Sequence, residues 1–300
     1  MHGISLSPGA YRRVTFLALV ALGVIVVTGA AVRLTGSGLG CPEWPNCDAG
    51  HLSPHGTTGY HGAVEFVNRT FTGLVSVLVI LAVLGSLVRT PRRRDLTWLS
   101  LGLVAGVIAQ IVLGGLVVVY GLSPPWVMAH FLVSMLLVAD AVVLHDRAAL
   151  PDTPEIPCTD LQIRRRVHGI SLGGLRWVLV GLAAAVLAAG TVVTGTGPHG
   201  GDEGVRRLDF PITDVARVHG ILVMVFIAAV LFTIWLLARD GAPPNVHRAA
   251  RLLLAVIAAQ AIVGYVQYFA GVPELLVAVH VLGAVCVWVA TLHFVLQLAR

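Results

Sequence analysis

Three histidines, two of them at matched positions, are the residues of this sequence best suited to metal chemistry. Gln110 is followed by Gly114 and then by His130, and Gln260, Gly264 and His280 repeat that spacing at an offset of 150. A second correspondence joins Thr35-Gly-Ser-Gly38 to Thr194-Gly-Thr-Gly197, and Val67-Asn68 to Val218-His219. His219 and His280 therefore form a pair in the second half, and their counterparts in the first half are Asn68 and His130. Imidazole is a natural axial ligand of heme iron, and two imidazoles from facing helices make a low-spin b-type site. An amide is a poor iron ligand. A heme on the His130 side would have one strong protein ligand and one weak or open position, which suits a heme that is a substrate or a centre of oxygen chemistry. The alternative for each histidine is a polar residue hydrogen-bonded near an interface.

Other side chains could serve or surround such a centre. His61, Glu65, Asn68 and Thr72 fall within about 60° of one another on a helix and form one polar stripe, flanked by Arg69. Glu65 could exchange protons or stabilise positive charge there, or it could pair with Arg69 one turn away. His61 is a candidate substitute ligand, two turns from Asn68. Cys41 and Cys47 bracket Pro-Glu-Trp-Pro-Asn; outside the cytoplasm they could close a structural ring or cycle between dithiol and disulfide. Gln110 and Gln260 either tie helices together or line a pocket. His145 and His293 read as interfacial, Asp140 as hydrogen-bonded to a neighbouring helix, Cys158 as a free thiol in a loop and Cys286 as packed within a span.

The elements that carry these residues must lie in lipid. Only 12% of the 300 residues are charged, 57% are hydrophobic and the mean hydropathy is +0.87, whereas a soluble domain carries roughly a quarter charged residues. Apolar runs long enough to cross a bilayer fall at Val14–Val32, Ala63–Val88, Leu96–Tyr120, Trp126–Leu144, Trp177–Thr194, Val215–Ala238, Ala249–Ala270 and Leu275–Ala299. The first reads as a retained anchor rather than a cleaved signal. All 20 basic residues are arginines. They concentrate in the loops after spans 2, 4 and 6, which by the positive-inside rule puts both termini in the cytoplasm; the net charge of +5 is a topology signal, not one for nucleic acid. The fold class expected is an all-α membrane protein of eight transmembrane helices. It divides into two pseudo-symmetric four-helix bundles in the same orientation, residues 1–150 and 151–300. Bundles of this kind commonly hold cofactors between facing helices. Besides an enzyme, a non-enzymatic diheme electron carrier and a heme transporter are compatible with these features.

Taken together, Thr35-Gly-Ser-Gly-Leu-Gly-Cys-Pro-Glu-Trp-Pro-Asn-Cys47, Glu65-Phe-Val-Asn-Arg69, His130, Thr194-Gly-Thr-Gly-Pro-His199, Arg217-Val-His219 and His280 resemble the heme A synthase family. The resemblance implies a bacterial cell-membrane oxidoreductase that converts a methyl group of heme O to the formyl group of heme A. It implies heme b as cofactor on His219 and His280, heme O on the side of His130 and Asn68, Arg69 and Arg217 as heme-site residues, Glu65 as a functionally important carboxylate, and a Cys41–Cys47 disulfide. It also implies partners: a heme O synthase, and a heme-copper oxidase or its assembly factors. Two departures stand out. Asn68 replaces the family's usual histidine, and residues 196–214 lack the second cysteine pair that some members carry.

Overall fold

A computed structural model describes residues 5–48, 50–55, 59–152, 166–167, 170–239 and 242–299. Among these residues, eight helices are long and apolar enough to cross a membrane: α1 (Pro8–Leu34), α2 (Gly59–Val88), α3 (Arg94–Val119), α4 (Pro124–Ala148), α5 (Leu172–Thr196), α6 (Ile212–Arg239), α7 (Pro244–Phe269) and α8 (Glu274–Gln297). A two-residue antiparallel pair, β1 (Arg166–Val167) and β2 (Ile170–Ser171), precedes α5 with Arg166 opposite Ser171. Helices of 24 to 30 residues rise about 36–45 Å, enough to span a hydrocarbon core of about 30 Å. The helical state follows from the solvent. In lipid every backbone N–H and C=O must find a partner inside its own segment, and faces such as Phe16, Leu17, Val20 and Val24 on α1 remain exposed on the outside of the bundle.

The helix ends are written locally. Ser7 caps α1 by accepting the Ala10 N–H at 3.3 Å ahead of Pro8, and prolines also open α4 and α7. The hairpins α3–α4 and α7–α8 close alike. Gly121 and Leu122 take φ of 58° and 57°, as Gly271 and Val272 take 78° and 63°. The Leu122 and Val272 N–H groups reach back to Val117 and Gln267 carbonyls at 2.8 and 2.9 Å, so each helix ends in a left-handed cap. The tight third-to-fourth hairpins expected from the sequence are present in both halves.

Packing joins α1 to α2, α2 to α3, α3 to α4 and α4 back to α1. In the second half α5 packs on α6 and α8, and α7 on α8, while α6 and α7 meet only sparsely. The halves meet where α1 and α4 lie against α8 and α4 lies against α5. There the buried Trp288 indole donates to the Met135 carbonyl at 2.9 Å, and Val285 packs beside Gly23 of α1. At the arginine-rich end Arg89 is almost fully buried, and its charge is matched by Asp152 at 2.6 Å. The chain before α1 is stitched to this corner by Leu6, whose N–H donates to Val88 and whose carbonyl accepts from Thr90.

Candidate functional site

The second half presents His219 from α6 and His280 from α8. Each ring lies against a glycine of a neighbouring helix: a Cβ on Gly190 of α5 would come within 3.3 Å of His219 Cε1, and one on Gly264 of α7 within 3.2 Å of His280 Cε1. Both distances are shorter than side chains ordinarily tolerate, so the glycines are what allow the imidazoles their positions. Gln260 donates from Nε2 to the His280 carbonyl at 2.9 Å and sits over Gly283, where any side chain would collide with its amide oxygen. Nδ1 of both histidines and Oε1 of Gln260 are buried without a hydrogen-bond partner.

The first half repeats part of this arrangement. Gln110 Nε2 donates to the His130 carbonyl at 3.0 Å and to Ser134 Oγ at 2.7 Å, and a Cβ on Gly114 would stand 3.5 Å from His130 Cε1. His130 Nδ1, Gln110 Oε1 and Asn68 Oδ1 are buried and unpartnered. Leaving a buried polar atom unmet costs about 1–3 kcal/mol. The unmet Nδ1 recurs at His130, His219 and His280, of which His130 and His280 correspond across the repeat. The tie between helices expected of Gln110 and Gln260 is formed in each.

In loop 1, between α1 and α2, residues 35–48 fold down against α2 and α3. Cys41 and Cys47 are disulfide-bonded, and both are fully buried. Glu65 is buried beneath them. Its Oε2 accepts the Cys41 N–H at 2.8 Å, and its Oε1 accepts Arg69 Nε and Nη2 at 3.0 and 2.6 Å. Arg69 continues upward, donating to the carbonyls of Cys41, Glu43 and Asn46. The ion pair is therefore formed, and together the two side chains clamp the disulfide ring to α2. At the ring's apex Trp44 lies flat against α3: a Cβ on Gly115 would fall 2.7 Å from indole Cε2 and 2.8 Å from Cδ2.

The remaining sequence candidates disperse. His61 is exposed at the top of α2 and shares a hydrogen bond with Ser37 Oγ at 2.9 Å. Arg217 is exposed and paired with Asp214 at 3.7 Å. His145 ties α4 to α1 through Thr15 Oγ1 at 3.1 Å, and His293 is half-buried in α8. Two expectations are corrected. Asp140 makes no hydrogen bond to another helix among the described residues; its carboxylate instead fills the groove left by Gly102, where a Cβ would lie 2.6 Å from Oδ2. Cys286 is exposed on the outside of the bundle rather than packed, because the buried face of α8 there is carried by Val285 and Trp288. Cys158 lies outside the described residues. Between loop 1 and the segment joining α5 to α6 is a cavity of about 690 Å³ lined by Arg33, His61, His199 and Arg207 among others. Arg33, Arg207 and His199 are already engaged with the carbonyls of Gly200, Pro198 and Val272. Sequence reading missed Gly190, Gly283 and the Trp44–Gly115 seat. Glycines in an Ala- and Val-rich span carry no local mark of which ring they face.

Known proteins resemble this chain over part of its length. The family model COX15-CtaA, described as cytochrome oxidase assembly protein, matches residues 12–199. Heme A synthases of Listeria welshimeri and Listeria monocytogenes are each 32% identical over 129 residues, which is 43% of this chain and 42% of theirs. That of Bacillus pumilus is 31% identical over 137 residues, 45% of this chain and 44% of its own length. The chain thus matches somewhat under half the length of each of these relatives.

Proposed function

Because the chain belongs to the COX15-CtaA family of cytochrome oxidase assembly proteins, we propose that it is a heme A synthase, a multi-pass membrane oxidoreductase converting a methyl group of heme O to the formyl group of heme A. The observation that carries this reading is the trio of half-buried imidazoles, each with a buried, unpartnered Nδ1 and each set against a glycine. A flat iron porphyrin between helices suits such a site, since imidazole binds its iron and glycine removes the side chain that would crowd the ring.

The two halves have different tasks in this reading. In residues 151–300, His219 and His280 hold heme b. They fit it: both are imidazoles, both come from helices across the bundle, and neither is claimed by another side chain. When bound, heme b supplies one-electron exchange. In residues 1–150, substrate heme O binds through His130, with Asn68 on the other side as a weak ligand that leaves the iron exchangeable. Glu65 and Arg69, as an ion pair, hold loop 1 over that bundle. Arg217, two residues before His219, is a cation available to a heme carboxylate on the second side.

Arginine-rich loops inside put both termini in the cytoplasm, and the clamp and disulfide on the outer face of a bacterial cell membrane. Heme O reaching the site from a heme O synthase, and heme A passing to a heme-copper oxidase or its assembly factors, define the partners. The test is expression of the chain with a source of heme O, followed by extraction and separation of hemes. Heme A should appear, together with one firmly held heme b per chain. Two retained b-type hemes and unaltered heme O would overturn the assignment in favour of an electron carrier.

A further inference from the structure

The seat of Trp44 exists in only one half. Gly115 is buried although it has no side chain and lies near the end of α3, because the loop 1 indole covers it. The next residue back, Gly114, receives the edge of His130. Two consecutive glycines, about 100° apart on the helix, thus bring the indole and the imidazole to the same depth on adjoining faces of α3. At the offset of 150, Gly264 repeats Gly114 but Tyr265 stands in place of Gly115, and residues 196–214 contain no tryptophan. Tyr265 is exposed. The second half has neither the seat nor the ring to fill it.

This asymmetry follows what the halves would have to do. A resident heme stays bound, whereas a substrate heme must enter, be held in one pose and leave. Resting on the reading that heme O binds at His130, we propose that Trp44 is a substrate-positioning residue: its indole forms the outer wall of the first-half porphyrin site, lowered there by loop 1. An indole offers a large, rigid apolar surface that excludes water and stacks on flat aromatic systems. The Cys41–Cys47 ring and the carbonyl grip of Arg69 fix its height, while Trp44 itself remains 46% exposed. Gly115 is the matching half of the device, since any Cβ there displaces the indole.

The test uses purified protein carrying its resident heme, loaded with added ferric heme b as the porphyrin probe. The first-half fraction is defined as the heme missing from His130→Ala. Its release rate is followed by transfer to excess apomyoglobin. Trp44→Ala and Gly115→Ala, which perturb the same contact from opposite sides, should each release this fraction on the order of tenfold faster. Trp44→Phe should stay near wild type, and the His219/His280 spectrum should not change in any of them. Release by Trp44→Ala and Gly115→Ala within about twofold of wild type would overturn the proposal, as would loss of the resident spectrum alongside, which marks a general folding defect. A wild-type protein with no His130-dependent heme would overturn the first-half substrate site itself, and the proposal with it.

Discussion

Glu65 commits one oxygen to the Cys41 N–H of loop 1 and the other to Arg69, which itself grips loop 1 carbonyls. Substitution by Gln keeps the shape but leaves a guanidinium without its countercharge, at a cost of about 1.5–3 kcal/mol for a hydrogen bond to a charged group. That loss falls on loop 1 and the first-half site, not on His219 and His280. Glu65→Gln is therefore expected to accumulate heme O, or a partly oxidised intermediate, with a near-normal b-type spectrum. Normal heme A output from this variant would remove Glu65 from the reaction. The cysteines give a second residue-scale test. Thiol labelling of unreduced, denatured protein should find Cys158 and Cys286 but not Cys41 and Cys47, and reduction should expose all four. At this scale the sequence was legible where partners are local or periodic: Glu65 and Arg69 one turn apart, the close cysteine pair, and the histidines on a fixed offset. It was silent on Trp44 and Gly115, whose contact spans 71 positions and depends on how loop 1 lies across the bundle.

At the scale of helices, glycine placement decides where imidazoles can stand. Ala at Gly190 or Gly264 would bring a methyl to 3.3 or 3.2 Å of an imidazole carbon, so either the ring or the helix must give. Both variants are expected to weaken heme b retention several-fold and to perturb its low-spin absorption spectrum. Gly181→Ala, on α5 with nothing within 4 Å of the new Cβ, should leave the spectrum and melting temperature unchanged. Equal effects from all three would mean that the glycines matter only for helix flexibility. The spans themselves were readable because lipid enforces long apolar runs, yet the helices overrun those limits. The α2 helix begins at Gly59 rather than Ala63, and α6 at Ile212 rather than Val215. Their first turns carry polar residues facing loops, which a hydropathy pattern trims away.

For the whole molecule, α1 and α4 meet α5 and α8 along a shared face. The helix that carries His280 buries Val285 against α1 and Trp288 against α4. A fragment of residues 151–300 would contain every residue proposed to hold heme b, including Gly190, Gly264 and Gln260, yet it would open that face to lipid. Lipid offers no hydrophobic drive for the face to close, so association rests on packing and on contacts such as the Trp288 hydrogen bond. The fragments 1–150 and 151–300, expressed as separate chains in one cell, are expected to copurify through α1, α4, α5 and α8 and to show the b-type spectrum. The second fragment alone should retain far less heme. His280→Ala in the second fragment should abolish the spectrum of the reassembled pair while the fragments still copurify, because the His280 ring lies against Gly264 of α7, within the same fragment. Full heme retention by the second fragment alone, with no binding of the first, would show that each half is self-sufficient and that the α1–α4–α8 face is dispensable for cofactor binding.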